Sequence, residues 1–103
     1  MNIVVFISCA GKKEANNIAT TLVKEKLCAC VNILGNVKSI FWWEKRIDST
    51  KEILLVAKSQ KLKFARIIKL VKRLHSYAVP EIIALPIISA DKAYLKWLGD
   101  SLR

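Results

Sequence analysis

Residues 30 to 58 read CVNILGNVKSIFWWEKRIDSTKEILLVAK, two apolar runs separated by a polar segment. The first run, residues 30–43, predicts a long strand that bends at Gly35-Asn36, because this pair is typical of bulges and tight bends. Residues 45–50 are polar and predict a turn, and residues 51–58 predict the returning strand. The stretch therefore predicts a long, bent hairpin.

The segments on either side of the hairpin have their own periodicities. An apolar run predicts a strand at 2–9, and two prolines that flank EIIAL delimit a strand at 81–85. Apolar residues at helical spacing predict helices from 14 to about 27, at 62–74 and, shorter, after Asp91. The order β-α-β-β-α-β with a terminal helix predicts an α+β, ferredoxin-like sandwich in one domain, residues 1–103. Many unrelated functions use this fold, so the fold alone does not assign one.

The bulk composition limits the protein class. A chain of 103 residues is one domain that buries about 65% of its unfolded surface. An apolar fraction of 53% is high for this size and predicts contact with another subunit. Three cysteines and no recognisable secretory signal favour the cytoplasm, and the apolar run at residues 3–7 is too short to span a membrane.

Eighteen Lys and Arg residues against eight acidic ones give a net charge of +10, which raises the question of a polyanionic partner. Basic residues concentrate in the helix at 62–74, where a solvated outer face is the common meaning of such a run. An RNA-recognition motif would need exposed aromatics on its first and third strands, but the third strand reads ILLVA. An acylphosphatase would need an Arg where SCAGKKE stands. No nucleic-acid partner and no catalytic activity are expected.

The cysteines allow two interpretations. Cys28 and Cys30 are two apart, so on a strand both thiols would point to one face and could hold a soft ion such as Cu(I). Small buried hydrophobes are the commoner meaning of such cysteines. The single histidine, His75, excludes a two-histidine zinc site within one chain, and the sequence does not show whether it meets a cysteine.

The adjacent tryptophans Trp42 and Trp43 predict a subunit contact. Successive strand residues point to opposite faces, so one indole should enter the core and the other should face outward. A long hairpin also leaves strand edges that favour pairing with another copy.

Four stretches together resemble one family over nearly the whole chain. They are ACVNI, SIFWWE, LHSYAVPEIIALPI and YLKWL, in this order and at these separations, and they resemble CutA, the divalent-ion tolerance protein. The resemblance implies a tight homotrimer joined by long strands, with an architecture similar to the PII signalling proteins. It also implies a role in tolerance to copper or another divalent cation. As an alternative, a PII-like interaction module would bind a small anion or a partner loop between subunits.

The resemblance also implies site residues. In the family pattern, Cys30 stands in ACVN, Trp43 in WWE, and His75, Tyr77 and Glu81 in the His-x-Tyr-x-x-Pro-Glu stretch, all expected to line an intersubunit cleft. Some relatives carry a first-strand cysteine, proposed as a copper ligand, at the position of Ile7, and Cys9 lies two residues beyond on the same strand face. The implied metal ligands are therefore Cys9, Cys30, His75 and Glu81. The implied small-molecule contacts are Trp43, Tyr77 and Lys58.

Overall fold

The chain folds around a four-stranded antiparallel sheet. The computed structural model describes residues 1–103, with strands β1 (Asn2–Cys9), β2 (Cys30–Trp43), β3 (Arg46–Gln60) and β4 (Ile82–Pro86), and helices α1 (Lys12–Lys24), α2 (Phe64–Leu74) and α3 (Lys92–Ser101). A single 3₁₀ turn, Lys61–Lys63, leads into α2. The strand order is β2-β3-β1-β4. The α+β fold and the order of its elements are confirmed.

Helices α1 and α2 pack on one face of the sheet and form the core with it. Helix α1 buries Ala15, Ile18 and Leu22, which lie on one side because they are three or four residues apart. Helix α2 buries Ile67 and Val71 against the same strands. None of the helices combines the length and hydrophobicity needed to cross a membrane.

The observed hairpin is longer than the one predicted from the polar segment at residues 45–50. Strand β3 begins at Arg46, whereas the predicted strand began at residue 51, and the turn consists of Glu44 and Lys45. Both turn residues have positive φ, 50° and 66°, as a tight two-residue hairpin turn requires. The polar residues after the turn continue the strand because this part of the hairpin is solvent-exposed on both faces. The predicted bend is confirmed by a register shift between Leu34 and Val37.

The other face of the sheet is not covered by α1 or α2, and we call it the open face. Its residues alternate with the core residues and include Val4, Phe6, Leu54, Val56, Ile83 and Leu85. Ile83 and Leu85 are 48% and 45% exposed. Trp42 and Trp43 are 72% and 52% exposed, so the expectation that one indole enters the core of its own subunit is wrong.

Candidate acidic cleft

A cleft of about 740 Å³ lies at the turn-side half of the hairpin. Its walls come from β1, from the paired strands β2 and β3, and from the segment between α2 and β4. The lining residues are Ser8, Ser39, Ile40, Phe41, Trp43, Asp48, Thr50, Glu52, Tyr77, Ala78, Val79 and Glu81. Most of the strand residues among them point to the open face, as the pairing of β2 with β3 shows. The cleft therefore continues the open face.

His75 anchors the segment that forms one wall of the cleft. Its side chain is fully buried, and its Nε2 lies 2.6 Å from the carbonyl oxygen of Ser8. Its Nδ1 accepts a hydrogen bond from the backbone N–H of Tyr77 at 3.0 Å. Because Nδ1 accepts, the ring proton belongs on Nε2, where it donates to Ser8. Both ring nitrogens are engaged in holding residues 75–77 against the end of β1.

Glu14 ties the same segment to α1. Its Oε1 accepts the backbone N–H of Ser76 at 2.7 Å, and its Oε2 accepts that of Ala10 at 3.2 Å. Burial opposes ionisation of this carboxyl, but the hydrogen bonds from Ser76 and Ala10 outweigh it and lower the pKa of Glu14. The carboxylate thus joins the start of α1 to the chain that follows α2.

Cys9, Glu14 and His75 bring a thiol, a carboxylate and an imidazole within 4.8 Å of one another. These possible ligand atoms are nevertheless protonated or already engaged in hydrogen bonds. Burial, reinforced by the nearby Glu14 and Glu52 carboxylates, raises the pKa of the Cys9 thiol to about 12, so the thiolate that a metal needs is disfavoured. Both His75 nitrogens and both Glu14 oxygens hold hydrogen bonds. As arranged, this cluster does not fit a resident metal ion.

The carboxylates that face the cleft are differently placed. Glu52 is only 8% exposed, and its Oε2 accepts the hydroxyl proton of Tyr77 at 2.9 Å. Burial, this hydrogen bond and the nearby negative charges raise the pKa of Tyr77 to about 12. Glu81 is exposed and accepts the Ser8 hydroxyl at 2.9 Å. Each carboxylate keeps acceptor capacity beyond these bonds.

The charge balance of the cleft is opposite to that of the chain. Three of the eight acidic residues line it, namely Asp48, Glu52 and Glu81, and no Lys or Arg does. The chain as a whole carries +10. The cleft can therefore attract cations, and it offers them carboxylate and hydroxyl oxygens beside an aromatic wall that includes Trp43.

The residues implied by the resemblance fall into three places. Trp43, Tyr77 and Glu81 line the cleft, whereas Cys9 and His75 lie in the buried cluster beside it. The third group, Cys30 and Lys58, lies at the far end of the sheet.

Cys30 and Lys58 lie directly opposite each other on β2 and β3. Lys58 is six residues from Glu52 along β3, a distance of about 20 Å. Lys58 donates its ammonium proton to the Asn32 side chain. Cys30 points to the open face and Cys9 to the helices, so one subunit does not bring these two thiols together. Cys28 is 1% exposed, which confirms the interpretation as a small core residue.

Among the residues that the sequence did not predict for this region are Ser8, Glu14, Asp48 and Glu52. Glu52 had a detectable signal, since it is an acidic residue next to an apolar strand run. Glu14 resembled an ordinary first-turn acid of a helix. Only the packing of α1 beside the end of α2 shows that it binds Ser76.

Comparison with known proteins identifies the family. The family model described as "CutA1 divalent ion tolerance protein" matches residues 3–101. The divalent-cation tolerance protein CutA of Thermus thermophilus is 41% identical, over 98% of each chain. The solved structure of the periplasmic divalent cation tolerance protein CutA from Archaeoglobus fulgidus is 38% identical, with a TM-score of 0.96 and full coverage of both chains.

Some relatives are longer. "Protein CutA 1, chloroplastic" of rice is 38% identical over 99% of this chain, and the chain spans 58% of its length. The chain belongs to the CutA1 divalent ion tolerance protein family.

Proposed function

We propose that this chain contributes to divalent-cation tolerance by binding a divalent cation in the acidic cleft. The observation that carries the proposal is the set of three carboxylates in a cleft without basic residues, on a chain of net charge +10. Such a cleft concentrates cations near its carboxylates. Ser8 and Tyr77 hold two of these carboxylates in place through their hydroxyl groups.

We also propose that the chain works as a homotrimer of about 35 kDa, three times its 11.6 kDa mass. The exposed apolar residues of the open face and the exposed Trp42 and Trp43 support this assembly, because such surfaces are usually covered by a partner. The cleft continues the open face, so a neighbouring subunit would narrow it and exclude water. Metal affinity should then depend on assembly.

The identity of the metal follows from the ligand atoms. Within one subunit the cleft offers oxygen atoms, which suit ions such as Mn²⁺ and Mg²⁺. Copper selectivity requires nitrogen or sulfur ligands. In this proposal such a ligand comes from Cys30 of a neighbouring copy.

The PII-like alternative has less support. An anion in the cleft would face Asp48, Glu52 and Glu81, and the cation expected to hold it, Lys58, lies about 20 Å away. We further propose a binding protein without a catalytic step. Cys9 is the cysteine nearest to His75, and its raised thiol pKa makes it a poor nucleophile.

Calorimetric titration of Mn²⁺, Zn²⁺ and Cu²⁺ tests the proposal. Glu81→Gln keeps the side-chain size but removes one carboxylate charge, and we expect at least a tenfold loss of affinity, about 1.4 kcal/mol. Glu25→Gln removes a charge from an exposed residue at the end of α1 and is the matched control. Equal affinities for the Glu81→Gln variant and the wild type would refute the assignment. Light scattering on the same samples measures the trimer.

A further inference from the structure

The two helices that cover the sheet carry most of the positive charge. Residues 12–26 and 61–73 contain ten of the eighteen basic residues and two acidic residues, of which Glu14 is turned toward the segment after α2. We call the exposed basic side chains of these two ranges the basic surface. It lies on the outside of the molecule, on the side away from the open face.

The basic surface includes residues of both helices. Lys63, at the start of α2, donates to the carbonyl oxygen of Lys26, just beyond the end of α1. Lys12 and Lys13, at the start of α1, share a shallow depression with Leu74 at the end of α2. The helices therefore run antiparallel, and the basic residues at the two ends of α1 flank the basic row of α2.

No Lys or Arg of the basic surface forms a salt bridge with an acidic side chain. The salt bridges that Lys and Arg side chains form are Lys96–Asp100 and Arg103–Asp100, and neither uses a residue of the basic surface. Lys26 and Lys63 donate to backbone oxygens near residue 103. Unpaired like charges within a Debye length of about 8 Å repel one another and oppose folding. A polyanion would remove this repulsion.

Contrary to the expectation from the sequence, we infer that the basic surface binds the phosphodiester backbone of a nucleic-acid duplex without reading its sequence. On α2, the exposed Arg66, Lys69 and Arg73 are spaced i, i+3 and i+7, so they form a row about 10 Å long. With Lys72 beside them, the row can contact about four phosphates. Backbone contacts of this kind supply affinity without sequence specificity.

The chemistry of the surface distinguishes a duplex from other polyanions. The aromatic residue of α2, Phe64, packs against the core, so the basic surface offers no exposed ring on which single-stranded bases could stack. A membrane-bound helix inserts its apolar face into the lipid, but α2 already buries Ile67, Leu70 and Val71 in the protein core. Both facts favour contact with phosphates from outside.

In the proposed trimer the open face is covered and the helices point outward, so three basic surfaces are displayed. Because these surfaces face different directions and a duplex is stiff over about 150 bp, each surface should bind a duplex independently. Each surface that neutralises about four phosphates should give a slope of log K against log salt near −3.6. Affinity per surface should therefore fall by about 150-fold between 50 and 200 mM salt.

Fluorescence anisotropy with a labelled duplex of about two helical turns and mixed sequence tests this inference. The variant Arg66→Gln/Lys69→Gln/Arg73→Gln should lose at least tenfold in affinity and shift the salt slope toward zero by about 3. The control, Lys38→Gln/Lys45→Gln/Lys92→Gln, removes the same charge from exposed residues elsewhere, and its affinity should change less than threefold. Light scattering and thermal melting show whether both variants remain folded.

Three results would overturn the inference. One is no binding to the duplex at 50 mM salt. Another is an equal loss of affinity in both variants, which would mean that only net charge matters. The third is a protein that binds vesicles containing phosphatidylserine but not the duplex, with vesicle binding lost in the Arg66→Gln/Lys69→Gln/Arg73→Gln variant. That result would assign the basic surface to a membrane.

Discussion

His75→Ala should destabilise the fold before it affects any metal site. The imidazole is fully buried and joins the end of β1 to the segment after α2 through its bonds to Ser8 and Tyr77. Each hydrogen bond contributes about 1 kcal/mol, and removing the buried ring costs about 1 kcal/mol more through lost contacts. We therefore expect a loss of about 3 kcal/mol in the free energy of unfolding, the sum of these three contributions.

Urea unfolding followed by tryptophan fluorescence, at one fixed subunit concentration, measures this loss. His75→Gln is the control, because its side-chain amide can donate to the Ser8 carbonyl in place of Nε2 and should recover about 1 kcal/mol. If His75→Ala unfolds within 0.5 kcal/mol of the wild type and instead loses tenfold or more in metal affinity, the histidine is a ligand and the anchoring role is wrong.

Three further measurements test the local chemistry. In native protein at pH 8, a thiol reagent should modify no more than one of the three cysteines. Cys9 and Cys28 should not react, because both are buried and have thiol pKa values of about 12. Cys30→Ser should therefore abolish the reaction. The stabilising effect of protonated Tyr77 is present below pH 10 and is lost as the pH rises toward 12, so Tyr77→Phe should flatten the stability profile in that range. The lowered pKa of Glu14 stabilises the fold above pH 4.5, and this stabilisation is lost as the pH falls through the folded-state pKa. Glu14→Gln should be less stable at pH 7 and should lack that acid-dependent loss.

The sequence predicted the sheet well where runs of apolar residues mark a strand. Strand β2 and its bend at Gly35-Asn36 were predicted correctly because apolar residues and a turn-forming pair mark them. The start of β3 was predicted five residues late. The turn residues, Glu44 and Lys45, adopt positive φ without the glycine or asparagine that usually announces it.

The candidate site was only partly predictable for a different reason. Trp43, Tyr77 and Glu81 stand in recognisable stretches, and all three line the cleft. The contact between Glu14 and Ser76 joins residues 62 positions apart, and it exists only once α1 lies beside the end of α2. No local pattern encodes that approach.

Anomalous diffraction from crystals of the protein soaked in Mn²⁺, and separately in Cu²⁺, most directly tests whether the acidic cleft is the metal site. We expect an anomalous peak about 2.0 to 2.6 Å from carboxylate oxygens of the cleft, with Glu81 among the ligands. The peak should disappear in the Glu81→Gln variant. A peak bonded to Cys9 and His75, with the cleft empty, would contradict the account.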